Sequence, residues 1–314
     1  MSSRRPSTVS SCSPCAITFD LQFMSRTSKK NRGVCLVAIV KDEEPFLDEW
    51  LVYHRMLGVD HFFIYDDHPA YPMEAFLKPH REYVTVVPWF GQDALLPGRT
   101  TQTKAYVHAV VRYVHQYSWV GFLDVDEFVV LRQDERLHGF LDSFPDAAAV
   151  SLNWHVFGHC GYYDNPPGLI TASLIRRMSQ PSEQVKTFTR PGQIAGISSP
   201  HYCELESGGR VDANGRRFAT ALYPERTQRA HINHYQCRSF RNWMGRVERG
   251  DVTVPPGATP EHDRWRWDPE ACLRQFVMTV AKDKNEYVDE FMFRYQADIL
   301  QQTALLGREG TGLH

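Results

Sequence analysis

The sequence predicts an α/β fold on a mostly parallel, Rossmann-like central sheet flanked by helices, and three observations predict it. Short apolar runs alternate with amphipathic stretches between residues 34 and 123. The first run, Val34-Cys35-Leu36-Val37-Ala38-Ile39-Val40, carries no polar residue, as expected of a strand covered on both faces. Acidic residues follow two of the runs, Asp66-Asp67 and Asp124 to Asp126, and ligands of parallel sheets bind at the carboxyl ends of strands.

Taken in order, Val34 to Val40 is the first strand. Lys41-Asp42-Glu43-Glu44-Pro45 opens a helix, with acids in its first turn and proline at an early position. Phe46, Leu47, Trp50, Leu51, His54 and Leu57 recur at helical spacing, and Gly58 ends the element. His61 to Tyr65 is the second strand, a short helix lies near Glu74 to Lys78, and Tyr83 to Val87 is the third strand. Residues 100 to 117 read as one long helix. Trp119 to Leu123 is a fourth strand that runs straight into Asp124-Val125-Asp126-Glu127-Phe128. Strand, helix, strand, helix, strand is the pattern of a parallel sheet.

Beyond residue 150 the pattern loosens. Ala149 to Trp154 is a strand, Gly158 to Gly168 a loop, and Thr187 to Gly196 and Thr220 to Ala230 are loop and strand material. Val252 to Arg264 is a Pro-rich linker. Two helices then run from Asp268 to about Leu306, with apolar residues at Phe276, Val280, Tyr287, Phe291 and Tyr295. Three parts result. Residues 1–32, rich in Ser, Arg and Lys, form a disordered tail in which Met24 is an alternative start. Residues 33–250 form the main domain, and 251–314 supply the linker and C-terminal helices packed on it.

At 314 residues the chain can bury a sizeable core. With 42% hydrophobic and 23% charged residues it reads as soluble and globular, and a net charge of -2 provides no global pull toward nucleic acid or an anionic membrane. No run approaches the roughly 18 apolar residues of a membrane span, and no apolar stretch of a signal peptide is seen. A bacterial, cytoplasmic protein, at most peripheral to the inner membrane, is expected. Seven cysteines, mostly single among apolar neighbours (Cys35, Cys160, Cys203, Cys237 and Cys272), favour buried thiols over a disulfide framework. The lone Cys12-x-x-Cys15 is a weak sign of metal or redox chemistry.

Asp124-x-Asp126 carries the chemistry. A nucleoside diphosphate leaves slowly unless a cation neutralises its charge. Two carboxylates at i and i+2, at the end of a buried strand, can share Mn²⁺ or Mg²⁺ between protein and pyrophosphate. Asp-x-Asp alone is close to a chance match, but here it occurs once and follows an apolar strand.

The chain resembles glycosyltransferase family 92 and related family 2 enzymes. The resemblance is carried by Val37-Ala38-Ile39-Val40-Lys41-Asp42-Glu43, by Glu49-Trp50-Leu51-Val52-Tyr53-His54 with Leu57-Gly58-Val59, and by Ile64-Tyr65-Asp66-Asp67. It continues through Gln102 with Ala105, Trp119 to Phe128, Asn153-Trp154 with Phe157-Gly158, and Ile232-Asn233-His234-Tyr235 with Ser239. It covers about residues 34 to 250 and implies a GT-A fold, a nucleotide-sugar donor, a divalent metal and inversion at the anomeric carbon. Asp66-Asp67 stands where many members have Asp-Asn, which leaves open which of the two serves.

Roles follow from the resemblance. His234, rather than His231, joins Asp124 and Asp126 as the third metal ligand. Asp66, or a neighbour, reads the nucleoside, flanked by Val40, Lys41 and Glu43. Arg99, Gln102 and Lys104, at the start of the long helix, face the donor with Asp124 and Val125. Lys186 and Arg190 bind the pyrophosphate or an acidic acceptor, and Arg238, Ser239 and Arg241 are further candidates. For the general base, Glu204 leads Glu206, Asp164, Glu183 and His201. Trp154, His155 and Phe157 form an aromatic platform under a sugar or are plain core residues. The acceptor, with His201 beside it, is a saccharide or glycolipid of lipopolysaccharide, capsule or exopolysaccharide type. Two other classes compete. A nucleotidyltransferase would show a Gly-rich loop after the first strand, where this chain has Lys41-Asp42-Glu43-Glu44. A non-catalytic carbohydrate-binding or assembly protein is the other.

Overall fold

A computed structural model describes residues 32–92, 96, 99–218, 229–249, 269–277 and 284–307. The tail before residue 32, the linker at 252–264, Val280 and the Cys12–Cys15 pair lie outside the described residues. The elements are β1 (Arg32–Val40), α1 (Glu44–Leu57), β2 (His61–Asp66), α2 (Met73–Phe76), β3 (Val84–Pro88), α3 (Thr101–Arg112), β4 (Tyr117–Phe122) and β5 (Glu127–Leu131). Then follow α4 (Leu137–Asp142), β6 (Ala147–Val156), α5 (Ile170–Ser173), β7 (Arg176–Arg177), β8 (Val185–Thr189), β9 (Ile194–Gly196), β10 (Glu204–Leu205) and β11 (Gly209–Val211). The chain closes with β12 (Ala230–His234), α6 (Phe240–Arg249), α7 (Pro269–Phe276), β13 (Tyr287–Val288) and α8 (Gln296–Ala304).

Among the described residues nine strands form one sheet, ordered β3-β2-β1-β4-β8-β6-β12-β5, with β11 beside the first half of β6. β3, β2, β1 and β4 are mutually parallel, as the sequence predicts. β8 runs antiparallel to both its neighbours, and β12 is parallel to β6 but antiparallel to β5. The result is the mixed α/β architecture expected of a GT-A fold. Apolar clusters cover both faces of the sheet. Each fully buried Leu or Phe in them contributes about 2 kcal/mol. Gly121 on β4 is required by this packing: a Cβ there would sit 2.5 Å from the Phe188 ring and 2.8 Å from Leu36.

Three expectations are corrected. The helix expected over 100–117 ends at Arg112, and a 3-10 turn (Val114–Gln116) leads into a strand that begins at Tyr117. β5 was not expected: the strand starts inside the acidic motif, at Glu127. The C-terminal pair of helices is a helix, a short strand holding Tyr287, a 3-10 turn over Phe291–Tyr295 and a second helix. Tyr295 nevertheless packs on Tyr53 at 5.3 Å and Ile299 is fully buried, so α8 docks against α1. Cys35, Cys160, Cys203 and Cys237 are free thiols, as expected.

The Trp50 to His54 segment explains how the acidic motif is held. β5 is an edge strand, and an edge presents unpaired backbone groups. The buried face of α1 satisfies them. Trp50 Nε1 donates to Glu127 O (2.8 Å), Tyr53 Oη donates to Val129 O (2.6 Å), and Val129 N–H donates to His54 Nε2 (3.2 Å). Since Nε2 accepts, the proton of His54 sits on Nδ1 and is donated to Trp50 O (2.9 Å). Burial drives the His54 pKa down to about 3, so the ring stays neutral. Gly58, with φ of 102°, adopts the left-handed cap that ends α1.

Candidate active site

The parallel strands end together. Val40 pairs with Asp66 and Asp66 with Pro88, while Leu123 N–H donates to Val37 O (3.1 Å). The turn Asp124–Asp126 therefore opens at the carboxyl edge of the sheet, where parallel sheets bind ligands. It is closed twice. Glu127 N–H donates to Asp124 O (3.0 Å), and Asp124 N–H donates to Glu127 Oε2 (2.9 Å).

Asp124 is clasped from two sides. Gln102 Nε2, in the first turn of α3, donates to Asp124 Oδ1 (2.7 Å), and Lys186 Nζ on β8 lies 3.0 Å from Asp124 Oδ2 and 3.2 Å from Glu127 Oε2. Gln102 also reaches the Tyr106 hydroxyl (2.9 Å). Lys186 and Glu127 are wholly buried. Burial opposes the charge on Lys186, but the Asp124 and Glu127 carboxylates outweigh it and hold its pKa above the usual lysine range. Burial likewise pushes the Glu127 carboxyl well up, against the pull of Lys186. The Asp124 side chain remains 36% exposed, so a face of its carboxylate is open to a ligand.

His234 Nε2 lies 3.6 Å from Asp126 Oδ1, both groups being largely buried at the end of β12. His231 and Asn233 share the opposite face, joined at 3.1 Å, which agrees with the alternation read from sequence. Trp154 packs against His234 (centroids 4.2 Å) and His201 (5.1 Å). His201 Nδ1 is 3.2 Å from Val185 O. Burial, with the nearby Lys186 charge, lowers its pKa to about 4, leaving it neutral at pH 7. His234 Nδ1 and the Trp154 indole N–H are buried without a hydrogen-bond partner.

The remaining expected residues divide. Val40 and Val125 are buried at the strand ends beside the turn, and Lys41 is partly exposed after β1. Arg99 is exposed before α3 and donates to Ile197 O; Lys104 is buried on α3. Asp66 is wholly buried, and its carboxylate accepts from His68 N–H (3.3 Å) and Met73 N–H (3.0 Å). It caps the following loop and helix, and the neighbouring Asp67 is partly exposed. Asp66→Ala should therefore cost about 3 kcal/mol of stability in urea unfolding, the worth of two bonds to a charged acceptor. A loss under about 0.5 kcal/mol would remove the capping role.

Glu43 is ion-paired with Arg238 (2.6 Å), whose guanidinium stacks on Phe46 (3.8 Å). Ser239 bonds Asn165 and exposed Arg241 pairs with Asp164. Arg190 stacks on Trp119 (4.1 Å) and donates to Ala147 O (3.0 Å). Phe157 is 1% exposed with its ring on Tyr235 (4.6 Å), and His155 stacks on His231, away from the carboxylates. Glu204 is exposed on the β9–β10 hairpin with its carboxylate over Gly196, and no hydrogen bond or ion pair joins it to Asp124, Asp126 or His234. Sequence reasoning missed Glu127 and Tyr106. The signal for Glu127 was a lone acid heading an otherwise apolar run, Phe128 to Leu131.

A divalent cation fits part of this set. Asp126 Oδ1 and His234 Nε2 stand 3.6 Å apart, the donor pair a hard or borderline cation takes, while the unpartnered buried nitrogen of His234 is Nδ1, the other one of the ring. Asp124 is held instead by Lys186 and Gln102, and among the described residues no group of three ligands is formed.

A sheet with such a turn at its carboxyl edge has the features of a glycosyltransferase. The profile of glycosyltransferase family 92 matches residues 30–266, and the chain belongs to that family. It is 27% identical over 231 residues to a family 92 protein of Oryza sativa subsp. japonica, covering 70% of this chain and 36% of that protein. It is 26% identical over 302 residues to one of Ricinus communis, covering 82% and 49%. The chain thus spans about a third to a half of the length of these plant relatives, which lend no support to the bacterial origin expected from the sequence. Among solved structures, 4-diphosphocytidyl-2C-methyl-D-erythritol synthase matches with a TM-score of 0.33 and 13% identity, covering 62% of this chain and 94% of that one. S. aureus TarS matches with a TM-score of 0.28 and 11% identity, covering 51% and 29%. These likenesses are slight, and nothing further rests on them. No described helix is long and apolar enough to cross a membrane.

Proposed function

We propose that the chain is a metal-dependent, inverting hexosyltransferase that moves a hexose from a nucleotide sugar, a UDP-sugar foremost, to a saccharide or glycolipid acceptor. The observation that supports this most is the Asp126–His234 pair beside a clasped Asp124 at the carboxyl edge of the sheet. Asp126 and His234, with Asp124, would hold Mn²⁺ or Mg²⁺. A cation bound there supplies positive charge against the departing diphosphate.

The other roles belong to the chain's own residues. Lys186 and Gln102 orient Asp124 before the donor arrives, which is the value of preorganised charge. The first turn of α3 favours an anion, and Arg99 and Lys104 lie on or beside it. Val40, Lys41, Glu43 and Val125 flank the nucleoside, and Asp66 or Asp67 reads it. Trp154 and His201 offer ring faces to sugar, and Glu204 takes the acceptor proton.

The test is nucleotide release from UDP-glucose, UDP-galactose and GDP-mannose, with Mn²⁺ and after EDTA. Turnover that stops in EDTA and returns with Mn²⁺ is expected. No turnover of any donor with metal present would sink the transferase reading. Equal turnover in EDTA would remove the cation, and a product of retained anomeric configuration would remove inversion.

A further inference from the structure

A second polar cluster lies on the opposite face of the sheet from the carboxylate turn. His234 of β12 faces Asp126, whereas His231 faces away, stacked on His155 of β6 at 3.8 Å. Close to this stack is a cavity of about 320 Å³, lined by Arg132, His155, Arg177, Tyr287, Asp289 and Phe291, with Val288 and Glu290 completing the wall. That volume is at the lower end for small-molecule sites. Two stretches of chain build it. Arg132, His155 and Arg177 lie within the family match at 30–266, while residues 287–291 follow it.

The two stretches are clasped together. β13 pairs with β7, Tyr287 opposite Arg177, and one oxygen of Asp289 accepts from both Arg177 Nε (2.9 Å) and Arg132 Nη2 (3.0 Å). Its other oxygen accepts Phe291 N–H (3.2 Å). Each guanidinium is also stacked: Arg177 over Tyr287 at 4.4 Å and Arg132 over Phe291 at 4.5 Å. A guanidinium carries five N–H donors. Arg132 places one on Asp289, and Arg177 places Nε there and Nη1 on Met178 O (2.8 Å), so donors remain for the cavity both residues line.

Charge decides what such a cavity takes. Asp289 and Glu290 offset the two guanidinium groups, so a bare anion gains little net attraction. Fixed planar donors, carboxylate acceptors and the half-exposed Tyr287 ring instead match the hydroxyls and C–H face of a pyranose. We propose that this cavity is a saccharide subsite, separate from the carboxylate turn, that holds one sugar unit through Arg132, Arg177 and Asp289 against Tyr287. The choice of a glycan rests on the transferase reading; the hydrogen-bonding character of the cavity does not.

The test is hydrogen–deuterium exchange of the full chain with methyl β-glucoside or glucuronic acid, a neutral and an anionic pyranose. At about ten times a millimolar Kd, either sugar should slow exchange over residues 285–291 by up to about tenfold. Slowing by both sugars supports recognition of hydroxyls, and slowing by glucuronic acid alone supports a dominant guanidinium contact. The effect should vanish in Val288→Trp, which fills the cavity, and in Tyr287→Ala, which strips its aromatic wall while leaving the Asp289 clasp; if Val288→Trp does not fold, Tyr287→Ala decides. No slowing by either sugar, or slowing that survives in a folded variant, overturns the subsite. Donor turnover by the unaltered chain is read separately. Sugar protection without turnover sinks the transferase reading and leaves the subsite, and turnover without protection does the reverse.

Discussion

Asp126→Ala should lower transfer roughly a thousandfold while moving the melting temperature by less than about 3 °C. The two halves of this expectation have separate causes. The backbone of Asp126 does the structural work: its carbonyl accepts Tyr235 N–H at 2.8 Å, and alanine keeps that bond. The side chain stands beside His234 and adds repulsion to the buried Glu127 carboxyl, so its removal relieves charge at the turn. What is lost is the carboxylate beside His234 at the carboxyl edge of the sheet, the group proposed to hold the cation. Unchanged transfer would remove Asp126 from the machinery. Lost transfer together with a melting temperature lower by about 10 °C or more would mark it as a structural residue.

The parallel half of the fold was legible because its strands are covered on both faces, so their apolar runs stand out between helices. β5 was not, because its first residue, Glu127, reads as part of the acidic motif, and only the α1 side chains show why a strand begins there. The site was legible as positions more than as roles. Asp66 lies at a strand end as expected, but its carboxylate is taken by the backbone N–H groups of His68 and Met73, and that depends on how the next loop folds. Phe157 follows Trp154 by an odd number of positions, so strand alternation carries the two rings to opposite faces, one toward His234 and one into the core. Lys186 was marked as a cation for the donor, and in the structure it pairs with two carboxylates of the protein. Its partner Asp124 lies 62 residues away, and nothing local announces which charges will pair.

That pairing of Lys186 carries the largest expected effect on stability. Lys186→Met keeps most of the side-chain volume but leaves Glu127 buried and Asp124 half-buried without their cation. Breaking a buried pair from one side costs about 3–5 kcal/mol, or roughly 10 °C in a chain of this size. The pH dependence has a definite sign. Burial already raises the Glu127 carboxyl, and loss of Lys186 removes the charge that pulls it back. A carboxyl with a raised folded-state pKa binds its proton more tightly in the native state. The variant should thus be most nearly normal near pH 4, below the unfolded value of about 4.3, and weaken steadily as pH rises through the folded-state pKa. Adding Glu127→Gln should recover more than half of the loss. The amide oxygen can still accept Asp124 N–H, and no buried charge remains without a partner. A double variant no more stable than Lys186→Met would show that Glu127 is not the group Lys186 neutralises. If stability returns but transfer does not, what the lysine supplies beyond folding is the orientation of Asp124, since Gln102 alone would then hold that carboxylate by one oxygen.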